Sequence, residues 1–207
     1  MRHRIFIAIN LPDNTRKRLL SYQEKWPDLP IKWTYKDNLH ITLLFLGYLT
    51  DEELLDVIRD AEKIITEKES FQISLNKIIY GPPASLREQT RLRSVAGGSA
   101  QKIPKMIWAI GETSEEFTDL QKSLEEGVYN EPLPDSEKRE KGNYFTPHVT
   151  LGRLKSFEFN QMDLEEIPEI NEDVNLSFLV ESIEIMESEL KKNGPHYTIL
   201  ESFQLKN

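Results

Sequence analysis

The chain contains no cysteine among its 207 residues. Disulfide bonds and thiolate metal sites are therefore excluded, and a reducing cytoplasm is the expected location. Long apolar runs are also missing. None approaches the roughly 18 consecutive residues of a membrane helix, so we predict no membrane partner. The apolar run in the opening MRHRIFIAINLP is too short for a signal peptide and lacks a small-residue cleavage site, which favours a first strand.

An excess of positive charge is lacking as well. The 26 basic and 35 acidic residues give a net charge of −9, which argues against a protein that wraps a long nucleic acid. A small phosphate-bearing ligand is not excluded, because local charge decides its binding. Five basic residues and one acid lie between Ala84 and Met106, a local balance of +4 that suits either a phosphate or a solvated loop. The basic residues are Arg87, Arg91, Arg93, Lys102 and Lys105, and the acid is Glu88.

The apolar patterning indicates an α+β fold. Strand patterns occupy residues 4–11, 31–34, 39–47, 71–81, 106–112, 148–154, 177–190 and 196–205, and helix patterns occupy 12–26, 50–68 and 113–128. Thr50 and Glu53 form the signature of a capping box. The Asn193-Gly194 turn predicts a hairpin between the last two strands. No linker rich in Pro, Gly and Ser divides the chain, so we predict a single domain over 1–207.

Two of the strand patterns contain a His-x-Thr motif, and the two motifs lie about half the chain apart, which suggests a duplicated lobe. Side chains two residues apart on a strand point to the same face. Each histidine should therefore share a face with its threonine. The opposite face would carry Ile41, Leu43 and Phe45 in the first motif strand, and Val149 and Leu151 in the second. We expect the two polar faces to meet across one groove.

Paired imidazoles and hydroxyls suit in-line attack on a phosphodiester. An imidazole has a pKa near 6.5, so one neutral histidine can act as base while a protonated one acts as acid. Threonine hydroxyls can donate hydrogen bonds to the phosphate oxygens, and no metal or other cofactor is required. Structural histidines are the simpler alternative. A metal site is the more specific alternative. However, each motif supplies only one ligand, and no Asp or Glu lies beside either histidine at the spacing that metal ligands usually have. Neither a Gly-x-Ser-x-Gly nucleophile nor a phosphate-cradling glycine loop occurs.

With their flanks, these motifs resemble the 2H phosphoesterase superfamily, and within it the bacterial and archaeal RNA 2′,3′-cyclic phosphodiesterases, also called 2′-5′ RNA ligases. The resemblance covers nearly the whole chain. It rests on RIFIAINLPDNTRKRL, IKWTYKDNLHITLLFLG, MIWAIG, YFTPHVTLGRL and GPHYTILESFQL. It implies one bilobal domain, in which two pseudo-symmetric lobes of antiparallel sheet with flanking helices surround a central cleft.

The resemblance also implies a site and a reaction. His148 would be the proton acceptor on water, His40 the proton donor to the leaving 3′-oxygen, and Thr42 and Thr150 the phosphate-binding residues. The substrate would be RNA with a 2′,3′-cyclic phosphate end, or a cyclic nucleotide, hydrolysed to a 2′-phosphomonoester without metal or cofactor. Two alternatives stay open. One is an ATP-independent 2′-5′ RNA ligase acting on tRNA-type ends, and the other is an RNA-end binding module without catalysis.

Four further residues receive weaker assignments. Lys105 stands near a position where related sequences often carry arginine, so it could contact the substrate phosphate. Phe145 could stack on a base. Alternation places Arg153 away from His148 unless a bulge intervenes, and Trp108 is expected in the core. We expect a monomer, because no heptad pattern or apolar edge stands out.

Overall fold

The computed structural model describes residues 2–82, 104–128, 146–163, 165–192 and 194–207. Nine strands lie in these residues: β1 (Arg2–Asn10), β2 (Ile31–Trp33), β3 (His40–Thr50), β4 (Phe71–Gly81), β5 (Met106–Gly111), β6 (His148–Leu154), β7 (Asn171–Val180), β8 (Ser182–Lys191) and β9 (Gly194–Gln204). The helices are α1 (Asp13–Gln23), α2 (Asp51–Ile65), α3 (Glu115–Val128) and the short α4 (Ser156–Phe159), and a 3₁₀ turn (Lys36–Asn38) precedes β3. The predicted α+β class is confirmed.

One predicted strand is two strands in the structure. The apolar run 177–190 breaks at Glu181, with β7 before it and β8 after it. β7 pairs with β4, whereas β8 pairs with β1 and β9. Because the two strands belong to different parts of the sheet, the pattern within one apolar run does not reveal the break. Phe145 and four of the five basic residues between Ala84 and Met106 lie outside the described residues.

The strands form one antiparallel sheet whose order repeats about its centre. This order is β7-β4-β5-β6-β3-β1-β8-β9, with β2 beside β6. In each half the motif strand, β3 or β6, pairs with an earlier strand, β1 or β5, and a helix, α1 or α3, lies between the two in the chain. Two further strands complete each half, which matches the predicted pseudo-symmetry. β7 lies at one edge of the sheet and β8 is next to the strand at the other edge, yet only Glu181 separates them in the chain. The sheet must therefore curve until its two edges lie close together. The Leu205 N–H donates to the Glu181 carbonyl at 2.8 Å, which links these ends.

The core lies on one face of the sheet, beneath α2 and α3. The Thr50 hydroxyl accepts from the Glu53 N–H while the Glu53 carboxylate accepts from the Thr50 N–H, so the predicted capping box starts α2. Full burial of a large apolar side chain contributes about 1.5–3 kcal/mol, which commits this face to the core. The buried residues of this core include Ile41 and Val149 from the sheet and Val57, Ala61, Leu120 and Leu124 from the two helices. No helix among the described residues is long and apolar enough to cross a membrane.

Candidate active site

The two His-x-Thr motifs meet at the centre of the sheet. β3 and β6 pair antiparallel with Ile41 opposite Val149. The residues that flank this pair are the motif histidines and threonines. They alternate to the other face, so each histidine lies beside the threonine of the other strand. Directly opposed residues have Cβ atoms about 4.5–5.5 Å apart, and diagonal neighbours lie about 7–8 Å apart. The four half-buried side chains therefore form one patch, which we call the histidine patch.

A β-bulge follows each motif and changes which side chains reach this patch. The pairing with β1 skips Leu43, and the pairing with β5 skips Leu151. Because an extra residue reverses the alternation, Phe45 and Arg153 lie on the same face as the histidines. Both are exposed, Phe45 to 65%. The expectation that Phe45 faces the core was wrong, because the alternation of apolar and polar residues in a sequence does not reveal an unpaired residue. For Arg153 the sequence analysis allowed for a bulge, and the structure contains it.

His40 is held by residues of its own half of the sheet. Its Nδ1 lies 2.8 Å from the Asn38 carbonyl oxygen, and its Nε2 lies 3.0 Å from the Thr42 hydroxyl. The Phe6 ring centroid is 5.1 Å from the imidazole centroid, and the Tyr197 ring is edge-on at 5.2 Å. Phe6 and Tyr197 belong to a small apolar cluster on this face, which fixes the orientation of the imidazole.

Burial and positive charge both disfavour a proton on His40. Burial is the larger cause, and the charges of His148 and Arg16 add to it, so the pKa of His40 is lowered to about 4 although a backbone hydrogen bond opposes the shift. Arg16 donates from Nη2 to the Asn10 side-chain oxygen at 3.2 Å, while its Nε is buried without a hydrogen-bond partner among the described residues. The sequence analysis did not select Arg16, because a lone arginine in an amphipathic helix carries no motif.

His148 has a different neighbour. Its Nδ1 lies 2.9 Å from the Thr146 carbonyl oxygen, and the Trp108 ring stacks on the imidazole with centroids 3.8 Å apart and planes inclined by 24°. Burial lowers the pKa of His148 below 6.5, again against a backbone hydrogen bond. Trp108 was expected in the core. It is half-buried instead, and its indole lies on the face of the histidine patch.

Both histidines are oriented through the same ring nitrogen. When neutral, each can donate from Nδ1 to its backbone carbonyl, which leaves the lone pair on Nε2. The Thr42 hydroxyl can donate to this lone pair at His40. A neutral ring can thus accept a proton at Nε2, and a protonated ring can donate one from the same atom. These are the properties that a general base and a general acid require.

Lys105 and Arg153 differ in their relation to the histidine patch. Lys105 is exposed and directly precedes β5, and alternation from Trp108 places its side chain on the other face. Arg153 pairs with Met106, two residues before Trp108, and therefore shares the face of the indole. Burial raises the pKa of Tyr197, and the charge of Arg153 opposes this rise, which places the guanidinium in the electrostatic environment of the patch.

The described residues offer no alternative metal centre. Among them, no group of three or more His, Cys, Asp or Glu residues has a geometry that could hold a metal ion. His3 lies between two carboxylates, with its Nε2 2.9 Å from Asp51 and its Nδ1 2.7 Å from Glu187. Because its two nitrogens contact different carboxylates, this arrangement is a surface ion-pair cluster, and its hydrogen bonds raise the pKa of His3.

Known proteins resemble this chain in sequence and fold. Residues 9–89 match the family model described as LigT like Phosphoesterase. The RNA 2′,3′-cyclic phosphodiesterase of Methanocaldococcus jannaschii is 26% identical over 201 residues, which cover 97% of this chain and 99% of the relative. The crystal structure of TT0787 of Thermus thermophilus has a TM-score of 0.74 and 30% identity, covering 99% of this chain and 98% of that one. Escherichia coli LigT complexed with 3′-AMP has a TM-score of 0.70 and 21% identity over the whole of both chains.

These comparisons bear on two predictions. The structures of the relatives confirm the predicted fold. The curated relatives, several of which are named RNA 2′,3′-cyclic phosphodiesterase, confirm the prediction of a hydrolase acting on phosphodiester bonds. The chain belongs to the LigT-like phosphoesterase family, within the 2H phosphoesterases.

Proposed function

We propose that this protein is an RNA 2′,3′-cyclic phosphodiesterase that hydrolyses a terminal 2′,3′-cyclic phosphate to a 2′-phosphomonoester without a metal. The pairing of Ile41 with Val149 carries the proposal, because it brings the two motif histidines into one patch. The names of the relatives support an RNA end as substrate, and the 3′-AMP bound to E. coli LigT supports a ribonucleotide ligand.

The proposed reaction needs one base and one acid on opposite sides of phosphorus. His148 accepts a proton at Nε2 from a water molecule whose oxygen attacks phosphorus. The bond between phosphorus and the 3′-oxygen breaks, and His40 donates its Nε2 proton to that oxygen. The products are a 3′-hydroxyl and a 2′-phosphomonoester, and the two histidines exchange protonation states. Return of both rings to their starting states requires one proton transfer through solvent.

The side chains around the histidines would stabilise the charge on the phosphate. The Thr42 and Thr150 hydroxyls lie in the patch and can donate to its oxygens. Arg16 supplies positive charge near His40. A bound phosphate anion also offsets the repulsion that His40 experiences from His148 and Arg16, so it raises the pKa of His40 and favours the protonated ring that an acid requires.

Product analysis tests the proposal. A nucleoside 2′,3′-cyclic phosphate incubated with the protein in excess EDTA should give only the 2′-monophosphate, measured by chromatography against both isomers. His40→Ala and His148→Ala should each lower kcat/KM by about 10²–10⁴-fold, the usual contribution of a general acid or base. His3→Gln, outside the patch, is the matched control and should retain the wild-type rate.

Three outcomes would overturn this function. They are a 3′-monophosphate product, loss of the wild-type rate in EDTA, and near-native turnover by a folded His40→Ala or His148→Ala variant. Circular dichroism and thermal unfolding establish folding of each variant. Because one chain supplies both motifs, a monomer is sufficient for this chemistry, and light scattering of the purified protein tests that state.

A further inference from the structure

A cavity of about 440 Å³ lies beside His40, between the turn that precedes β3 and the hairpin of β8 and β9. Its volume is within the roughly 300–1,000 Å³ of typical small-ligand sites. The lining residues that matter here are Tyr35, Asp37, Asn38, Lys191, Lys192 and Tyr197. We propose that this cavity binds the terminal nucleoside of the substrate, with the base against Tyr35 and the 5′-phosphate at Lys191 and Lys192. The inference rests on the proposed function and extends it beyond the reacting phosphate.

Two residues belong both to the cavity wall and to the surroundings of His40. The Asn38 carbonyl oxygen lies 2.8 Å from His40 Nδ1, and the Asn38 side-chain amide donates to the Pro195 carbonyl in the opposite wall at 2.9 Å. Tyr197 lines the cavity and contacts His40 edge-on. The cavity therefore shares two wall residues with the surroundings of His40, on the side where the proposal places the sugar and base.

The charge on this side of the molecule suits a phosphate. Lys191 and Lys192 are exposed at the cavity, in a protein whose net charge is −9. Lys191 also pairs with Glu189 at 3.3 Å, but exposed ion pairs of this kind are weak and do not prevent a second contact. A methyl group added at Gly194 would lie 3.2 Å from Lys32 Nζ, so a third ammonium borders the same wall.

The remaining wall offers an aromatic face and polar groups. Tyr35 is 61% exposed, and aromatic side chains of this kind stack on bases of any sequence. Asp37, from the same turn, can accept hydrogen bonds from a ribose hydroxyl or a base amino group. This combination fits a nucleoside with a 5′-phosphate, which is the chemistry of the last residue in an RNA chain.

A pair of substrates that differ by one phosphate tests the inference. We would measure kcat/KM for adenosine 2′,3′-cyclic phosphate with and without a 5′-phosphate. The wild-type protein should prefer the 5′-phosphorylated substrate about tenfold, the effect of one charge-assisted hydrogen bond. The Lys191→Ala/Lys192→Ala variant should reduce this ratio to about one, because it removes the contacts to the 5′-phosphate.

Two further variants separate the parts of the cavity. Lys63→Ala/Lys122→Ala removes the same charge from α2 and α3 on the opposite face, and it should retain the wild-type ratio. Tyr35→Ala should lower kcat/KM about tenfold for both substrates, since it removes a stacking surface for the base and leaves the phosphate contacts.

Binding measurements separate failure of the cavity from failure of the proposed function. Calorimetric titration with adenosine 2′-phosphate and adenosine 2′,5′-bisphosphate reports on the cavity even if no turnover occurs. Tighter binding of the bisphosphate that is lost in Lys191→Ala/Lys192→Ala supports the inference in either case. Equal affinities in the wild-type protein, or a preference that the lysine variant retains, would overturn it.

Discussion

The two halves of this molecule share a backbone plan but differ around their histidines. Each half has a central motif strand, a bulge directly after the motif, and a histidine whose Nδ1 faces a backbone carbonyl. The strand next to each motif strand places a different residue opposite the threonine. This residue is Ala8 in the first half and Trp108 in the second. His148 therefore has an indole stacked on its ring, whereas His40 is enclosed by Phe6 and Tyr197.

The difference separates what the shared backbone plan fixes in both halves from what can differ between them. The alternation of each strand and its bulge set which atoms reach the patch, so these features are the same in both halves. The neighbouring side chains set the proton affinity and differ. The same divergence continues two positions after each unpaired residue, where the first half exposes Phe45 and the second half exposes Arg153. A site with equivalent geometry thus acquires two unlike sides, which a reaction with one acid and one base requires.

The largest effect is expected when the two histidine variants are compared on a substrate that separates the roles of acid and base. A cyclic substrate with sulfur in place of the 3′-oxygen has a leaving group that needs no proton. His40→Ala should lose about 10²–10⁴-fold in kcat/KM on the oxygen substrate and recover most of it on the sulfur substrate. His148→Ala should not recover, because water still needs a base. Recovery by His148→Ala alone would exchange the two roles.

A second prediction removes the indole that distinguishes the halves. Trp108→Ala should lower kcat/KM about 10- to 100-fold, because an unsupported imidazole leaves its reactive position. The pKa of His148, followed by NMR, should rise towards 6.5 as water reaches the ring. Trp108→Phe preserves an aromatic face and should lose less. An unchanged pKa in Trp108→Ala would show that the indole does not set the environment of His148.

The support of this indole can be tested without altering it. A Cβ at Gly81 would lie 2.3 Å from Trp108 Cδ2, so Gly81→Ala must displace the ring. Activity should fall as in Trp108→Ala, with a stability loss of about 1–3 kcal/mol from overpacking. Gly127→Ala is the matched control, because its Cβ would meet only the flexible end of Ile64 on α2, far from the patch. Equal activity losses in the two glycine variants would contradict the prediction.

The fourth prediction concerns pH. The pKa of His40 is lowered to about 4 and that of His148 is lowered below 6.5. kcat/KM rises as the base loses its proton and falls as the acid loses its own, so its optimum lies midway between the two pKa values of the free protein. The optimum should therefore lie below pH 6.5 whichever histidine is the acid. An optimum above pH 7 would contradict the burial of both rings.

The smallest effect concerns His3, which has no counterpart among the described residues of the second half. Its pKa is raised in the folded state by hydrogen bonds to Glu187 and Asp51. The stabilisation is therefore complete below the unfolded pKa of about 6.5 and is lost as pH rises through the folded pKa. The Tm difference between wild type and His3→Gln should be larger at about pH 5.5 than at about pH 8.5. A difference that does not vary with pH would exclude this contribution.

Much of the fold could be predicted from local sequence patterns. The strand patterns, the capping box at Thr50 and Glu53, and the two His-x-Thr motifs each depend on residues close in the chain. The errors arise where partners are distant. The break at Glu181 depends on which strands β7 and β8 pair with, and the positions of Phe45 and Arg153 depend on one unpaired residue in each motif strand. The contact between Trp108 and His148 could not be predicted, because an apolar residue in a strand pattern is as compatible with a position in the core as with a contact to a histidine.

The chain by itself determined that two imidazole–hydroxyl pairs stand on two strands, because the side-chain period of a strand is local. Only the tertiary structure decided that the strands adjoin at Ile41 and Val149, that bulges turn Arg153 to the same face, and that an indole covers one histidine alone. Contacts between residues distant in sequence follow from packing of the whole core, and no short stretch of sequence contains that information.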